Sequence, residues 1–280
     1  MTGTPAPIPT AGVAMTALGV ALIRARETAR PDRLYADPLA EAFVAAARPA
    51  FDDERWARLE VLAGQFYEGR TLAVKGVDDH IREATAARCA QIVLLGAGLD
   101  TRAFRLELPR DTAFFEVDLP ELFAFKEPVL TARRARPVCA RYVVAADLRG
   151  DWEQALLAQG FRTELPTAWV DEGVLGYLPR ADAYALAATV TGLSASGSRF
   201  GLGRFQVAAA EPQYRALREL VREAPGERPV NGLGPGGESW FATHGWKTSF
   251  RAWGDLVAPY GRPGALSGDP AVGHVLAVRE

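Results

Sequence analysis

Gln91-Ile92-Val93-Leu94-Leu95-Gly96-Ala97-Gly98-Leu99-Asp100-Thr101-Arg102 runs from a strand pattern through a turn into a helix pattern. The apolar run from Ile92 to Leu95 has no polar interruption, as in a strand buried on both faces. Gly-Ala-Gly then breaks the run, and Asp-Thr-Arg-Ala-Phe-Arg-Leu continues with helical character. Open α/β sheets build ligand crevices where a buried strand ends in small residues ahead of a helix. Gly96 and Gly98 lack a Cβ, so a ligand can approach the backbone there.

The chemistry of that ligand is partly constrained. A dinucleotide fingerprint has glycine at the third position of G-x-G-x-x-G, but Thr101 stands there. Asp100 would face an incoming pyrophosphate with a like charge. A cationic ligand meets no such repulsion, and S-adenosylmethionine, with its sulfonium and ammonium, suits an acidic turn better. Taken alone, Gly-x-Gly is also compatible with an ordinary strand-to-helix turn.

Three further strand patterns end in acidic residues. Phe114 to Val117 runs into Asp118-Leu119-Pro120, about 20 residues after the glycines, where nucleotide binders place an acceptor for ribose hydroxyls. Tyr142 to Ala146 ends in Asp147-Leu148, and Ala168 to Val170 ends in Asp171-Glu172-Gly173. One such end could be a solvated loop. Four at a single sheet edge form a candidate site, with Asp118 as the ribose ligand.

These residues also carry a family resemblance. Leu95 to Arg102, Phe115 to Pro120 with Lys126, Ala146-Asp147-Leu148 and Glu172-Gly173 look like the leucine carboxyl methyltransferase family, closest to a bacterial branch that includes polyketide carboxyl O-methyltransferases. Thr16-Ala17, Arg24 to Glu27, Asp37-Pro38, His244 to Trp246 and Tyr260 to Pro263 resemble its two ends. The likeness spans about Val13 to the C-terminus. It implies S-adenosylmethionine as cofactor, held by Gly96, Ala97, Gly98, Asp100, Asp118 and Leu119. It implies Asp147 and Leu148 at the adenine and Glu172 near the cationic end of the cofactor, with Asp171 beside it as a substitute. A basic residue should clamp the cofactor's carboxylate, since a guanidinium grips one with two parallel hydrogen bonds. Arg70 is the first choice and Lys75 the second, although Arg70 lies farther before Asp78-Asp79 than the family spacing suggests. Arg24 is a third candidate, its alternative being a cation closing a helix C-terminus.

The chain has 280 residues, 49% of them hydrophobic, enough for one large α/β domain. A net charge of −2 points to neither nucleic acid nor an anionic membrane as partner. No apolar run spans a bilayer, and Met1 to Ile8 lacks a basic leader region, so a cytoplasmic protein is expected. Cys89 and Cys139 read as reduced buried thiols. His80, His244 and His274 have no ligand spacing, so no metal is expected.

The expected fold is a doubly wound, mainly parallel, seven-stranded Rossmann-like sheet with helical N-terminal and cap elements. The expected division is one domain over 1–280: a flexible tail (1–12), a helical entry segment (13–65), the cofactor-binding core (66–205), a cap or substrate insertion (206–245) and terminal strands (246–280). Helices are expected over about Val13–Ala29, Asp37–Ala47 (Asp37 as N-cap), Asp53–Ala63, Phe66–Arg88, Ala103–Leu108, Glu121–Arg136, Asp151–Gln159 (Asp151 as cap), Asp182–Ser194 and Glu211–Arg222. Ser198 to Arg204 reads as the fifth strand, and Trp246–Phe250 with Ala271–Val278 as the last two. Pro225 to Glu238, rich in Gly and Pro, reads as a mobile loop near the substrate mouth. Arg102 and Arg105 are expected to meet solvent or neighbouring acids.

The expected reaction is transfer of a methyl group to the carboxylate of a small molecule, a secondary metabolite. A carboxylate is already ionised at neutral pH, so no general base is required. A hydroxyl or phenol acceptor is the alternative, with His80 and His244 as the weak base candidates. Tyr177 and Trp240 are candidate pocket walls. Readings from other classes are an NAD-dependent oxidoreductase and a non-catalytic S-adenosylmethionine-binding protein.

Overall fold

The computed structural model describes residues 14–204, 232–262 and 270–280. The chain opens with α1 (Ala14–Thr28), α2 (Pro38–Ala47) and α3 (Asp53–Ala86). It continues β1 (Gln91–Leu95), α4 (Arg102–Arg105), β2 (Ala113–Asp118), α5 (Pro120–Ala132), β3 (Ala140–Ala145), α6 (Trp152–Ala158) and β4 (Thr167–Asp171). After these come α7 (Arg180–Gly192), β5 (Arg199–Arg204), α8 (Gly237–Thr243), β6 (Trp246–Ala252), α9 (Trp253–Val257) and β7 (Gly273–Arg279).

The seven strands form one sheet in the order β3-β2-β1-β4-β5-β7-β6. Strands β1 to β5 pair in parallel, and β7 runs antiparallel to both neighbours. The five residues of β1 are all buried. Alternation sends Val93 and Leu95 into the core beneath α6 and α7, while Ile92 and Leu94 enter the core beneath α3 and α4. The sheet is therefore covered on both faces, as the uninterrupted apolar run requires. Strand order reverses between β1 and β4, where an open α/β sheet leaves a crevice at its carboxyl edge.

Several boundaries differ from those expected. Asp53–Ala63 and Phe66–Arg88 are one helix, α3, of 34 residues. Gly64 does not break it. Glycine costs only about 1 kcal/mol in a helix interior, and a Cβ there would lie 3.8 Å from Arg26 Nη1, so α1 packs close by. The helix after the glycine turn is a single turn that ends at Arg105. Asp37 caps α2 as expected, accepting from Ala40 N at 3.1 Å with Pro38 in the first turn. Asp151 makes no side-chain cap bond, although Trp152 is buried at 2% exposure. Gly234–Gly236 is a 3-10 turn leading into α8, so the last part of the expected loop has regular structure. The expected tail and the helix over Glu211–Arg222 lie outside the described residues.

Candidate cofactor site

The parallel register brings the acidic strand ends to one level. Leu95 pairs with Val117 on one side and Asp171 on the other, and Asp118 pairs with Ala145. Gly96-Ala97-Gly98, Asp118-Leu119, Ala146-Asp147 and Asp171-Glu172 therefore line the carboxyl edge of four adjacent strands. Gly96 N and Ala97 N donate to Val117 O at 2.9 and 3.0 Å, tying the turn to the end of β2. Gly98 N donates to Asp118 Oδ2 at 2.5 Å, and Leu119 N donates to Asp118 Oδ1 at 2.7 Å. Burial raises the Asp118 carboxyl above its ordinary value, against those two backbone donors and the Lys126 charge, which pull it down.

Both glycines are demanded by the chain itself. Gly96 and Gly98 have φ of +70° and +50°. A Cβ on Gly96 would stand 2.9 Å from Val174 Cβ, and one on Gly98 would stand 3.1 Å from Ala17 Cβ. The loop after β4 and helix α1 thus close on the turn.

A buried ion network lies beside it. The Arg102 side chain is fully buried. Its Nε donates to Asp78 Oδ1 at 2.6 Å, and its Nη1 donates to Asp100 Oδ2 at 2.5 Å and Glu172 Oε2 at 2.7 Å. Its Nη2 donates to Glu172 Oε1 at 2.9 Å and Val74 O at 3.2 Å. Arg105 grips the two Asp78 oxygens at 2.6 and 2.8 Å. Arg24 donates to Asp37 Oδ2, Thr101 Oγ1 and Leu99 O. Arg24, Arg102 and Arg105 therefore face Asp37, Asp78, Asp100 and Glu172, with one carboxylate in excess.

This network changes the reading of Asp100. Its Oδ1 accepts from Arg102 N at 2.7 Å and its Oδ2 holds the guanidinium, so it is not a free charge facing a ligand. The turn is unsuited to a pyrophosphate for another reason. Helix α4 has only four residues, and Asp100 already occupies its first N–H. Arg102 and Arg105 meet neighbouring acids rather than solvent.

The three basic candidates separate by their partners. Lys75 Nζ lies 2.5 Å from both Asp79 oxygens and over the Tyr260 ring, and Tyr260 donates to the same carboxylate. Arg24 is held under the glycine turn by Asp37 and Leu99 O. Arg70 is half-buried on α3, and its Nη1 lies 3.5 Å from Glu172 O. No acidic side chain among the described residues pairs with it.

Other candidates sit elsewhere or are engaged. Asp147 turns to Arg149, whose guanidinium holds its carboxyl below the ordinary value, while Leu148 is buried beneath β3. Asp171 Oδ1 accepts from Gly173 N and Leu175 N, and burial raises its carboxyl to about 6. Tyr177 ends the 3-10 turn Leu175–Tyr177 that follows Glu172. Trp240, on α8, packs on His244 and Tyr184. His244 closes α8, with Nδ1 2.7 Å from Trp240 O. His80 packs edge-to-face on His274 at 5.7 Å, and burial lowers the two rings to about 3 and 4. Cys89 and Cys139 are free and buried. Among the described residues no His, Cys, Asp and Glu group could hold a metal ion, and no helix is long and apolar enough to cross a membrane.

Sequence reasoning missed Asp78, Arg102 and Arg105 as one cluster. The available signal was spacing: Val74 and Asp78 are i,i+4 on α3, and Arg102 and Arg105 are i,i+3 on α4.

A doubly wound sheet of this order, with a glycine turn after β1 and an acidic end on β2, defines a Rossmann-like methyltransferase fold. A solved Thermobifida fusca structure described as a "putative methyltransferase" superposes with a TM-score of 0.56 at 17% identity, covering 97% of this chain and 96% of that one. Residues 17–191 match the family model of leucine carboxyl methyltransferase, and the chain belongs to that family. A Streptomyces coelicolor protein named "Putative S-adenosyl-L-methionine-dependent methyltransferase" is 41% identical over 94% of this chain and 93% of its own length. A Frankia alni protein of the same description is 42% identical over 96% and 95%.

Proposed function

We propose that this protein is an S-adenosylmethionine-dependent O-methyltransferase acting on the carboxylate of a small molecule. The observation that carries the cofactor part of this reading is the meeting of Arg70, a guanidinium with no acidic partner among the described residues, with the Glu172 strand end beside the Asp118–Gly98 turn. A zwitterionic amino-acid group and a ribose are the complement of that donor set. Each Asp118 oxygen accepts one backbone N–H and keeps acceptor capacity for a hydroxyl. Arg70 offers its fork to the cofactor's carboxylate. Glu172, with both oxygens on Arg102, keeps its outer lone pairs for an ammonium. The excess carboxylate of the network favours a cationic ligand at that end. Gly96, Ala97 and Leu119 shape the adenosine cradle, and Leu148 offers an apolar neighbour. The adenine role of Asp147 requires it to leave Arg149.

When bound, the cofactor supplies an electrophilic methyl group on a sulfonium, taken by an acceptor oxygen in line with the departing neutral sulfide. The protein's own part is to hold the two reactants in line and exclude water from the nucleophile, which can be worth about 7–11 kcal/mol. All three histidines of the chain lie within the described residues: His80 and His274 bury one another, and His244 is stacked on Trp240. A carboxylate acceptor needs none of them as base. Tyr177 and Trp240 are the proposed walls of the acceptor pocket. The acceptor class is the small acids of secondary metabolism, with polyketide acids the first to test. The two free buried thiols suit a reducing cytoplasm.

The test is incubation with S-adenosylmethionine and parallel panels of small carboxylic acids and phenols, with products read by mass spectrometry. Methyl esters from the acid panel support the reading. Methyl ethers alone would replace it with the hydroxyl alternative.

A further inference from the structure

All five N–H donors of the Arg102 guanidinium are placed. The single Nε donor goes to Asp78, the two on Nη1 to Asp100 and Glu172, and the two on Nη2 to Glu172 and Val74 O. The acceptors belong to three segments: α3 through Val74 and Asp78, the glycine turn through Asp100, and the end of β4 through Glu172. Arg70 lies one helical turn before Val74 on the same helix. Its Nη1 faces Glu172 O at 3.5 Å. One buried guanidinium therefore sets where Arg70 stands relative to Glu172 without itself being exposed to a ligand.

We infer that Arg102 is a positioning residue for the amino-acid end of the cofactor, fixing the spacing between Arg70, which takes the carboxylate, and Glu172, which takes the ammonium. This rests on the cofactor reading above. A lysine cannot replace it, because an ammonium has three donors on one atom and cannot span acceptors on three segments in a planar fork. The adenosine end is held by different groups, Asp118 and Gly98 N, which bond each other and, through Asp118, Leu119 N, whereas Arg102 meets the same turn two residues on, at Asp100. Loss of Arg102 should therefore weaken a ligand that carries the amino-acid end and spare one that lacks it.

The experiment is calorimetric titration of the full chain and its R102K variant with S-adenosylmethionine and with 5′-methylthioadenosine, which keeps the nucleoside and sulfur but has no amino-acid group. The expected result for R102K is a loss of about 10–100-fold for S-adenosylmethionine, with 5′-methylthioadenosine changed less than about twofold. Equal losses for both ligands would mean general disorder of the site, and no loss for either would mean that the spacing does not depend on Arg102; each overturns the proposal. Removing a buried ion partner is costly, so Asp78→Asn, which keeps the shape and removes one charge, is measured in parallel for the same selective loss. Double substitution gives an independent readout with S-adenosylmethionine alone. R70M/R102K should bind no more weakly than R70M, because the spacing no longer matters once Arg70 is gone. Fully additive losses would overturn the proposal. Wild-type protein that binds neither ligand would overturn the cofactor reading first, and this inference with it.

Discussion

Asp118 shows how one side chain can serve the fold and the site together. Its carboxylate closes the glycine turn through Gly98 N and Leu119 N, and burial makes the charged form costly. Asp118→Ala is expected to weaken S-adenosylmethionine binding by about 1.5–3 kcal/mol, the range for charge-assisted hydrogen bonds. Calorimetry with thermal melts alongside checks this, since two backbone donors also lose their acceptor. Arg70 and Lys75 are separated at the same scale. Arg70→Met is expected to raise the cofactor Kd by about tenfold or more, as loss of a charge-assisted contact worth about 1.5–3 kcal/mol implies. Lys75→Met removes a partly exposed i,i+4 pair with Asp79 and is expected to leave Kd unchanged. The reverse ranking would move the carboxylate clamp to Lys75.

At the scale of elements, α3 is the member that joins entry segment to sheet. Its residues reach Glu27 through Tyr67, Glu172 through Arg70, and Arg102 through Val74 and Asp78. Continuity through Gly69 and Gly76 is what puts these contacts on one helix. Gly69 is exposed, and a Cβ there would meet nothing within 4 Å. Gly69→Ala is expected to stabilise the protein by about 0.5–1 kcal/mol through the helix backbone alone. A raised melting temperature with unchanged cofactor affinity is the outcome to look for. The turn between β1 and α4 shows the opposite economy. Its glycines serve the close approach of Val174 and Ala17, so side chains there would disturb packing before they reached a ligand.

At the scale of the whole molecule, β7, inserted between β5 and β6, brings His274 against His80 of α3, beside Gly201 of β5. Desolvation lowers both rings; the charges acting on His80 are His274 and Arg199 of β5, and that acting on His274 is Arg251 of β6, all of one sign. Their folded values, about 3 and 4, lie below the ordinary 6.5. The unfolded chain therefore binds more protons as pH falls, and stability present above pH 6.5 is lost on descending toward 4. A fall on the order of a few kcal/mol is expected over that range. Asp171, raised to about 6, works in the opposite sense, favouring the folded state as it takes up its proton. The comparison with His80→Leu isolates the histidine part: its melting temperature should fall less between pH 7 and 5 than that of the wild type. Parallel slopes would show that the pair carries no linkage.

The β1 run, the glycine turn, the Asp118 strand end and the strand alternation were all legible in the chain. They depend on local pattern: apolar continuity, residue size and the spacing of acids along strands fix fold class and sheet edge. The division of roles among charged side chains was not legible. Arg24, Arg70, Lys75 and Arg102 are alike as symbols, and spacing along the helix left the clamp open. Asp100 looked like a free charge and proved to be an ion-pair partner. Only tertiary packing decides which cation loses its solvent and which acid stands within 3 Å of it. A buried ion network is a property of segments as distant as residues 78, 102 and 172. The sequence by itself determined the doubly wound sheet and the edge that gathers its acidic strand ends, because backbone pattern and side-chain size act locally. The tertiary structure decided that Arg102 is spent on a buried ion network and that Arg70 is left without an acidic partner among the described residues, because desolvation and pairing exist only once the segments meet.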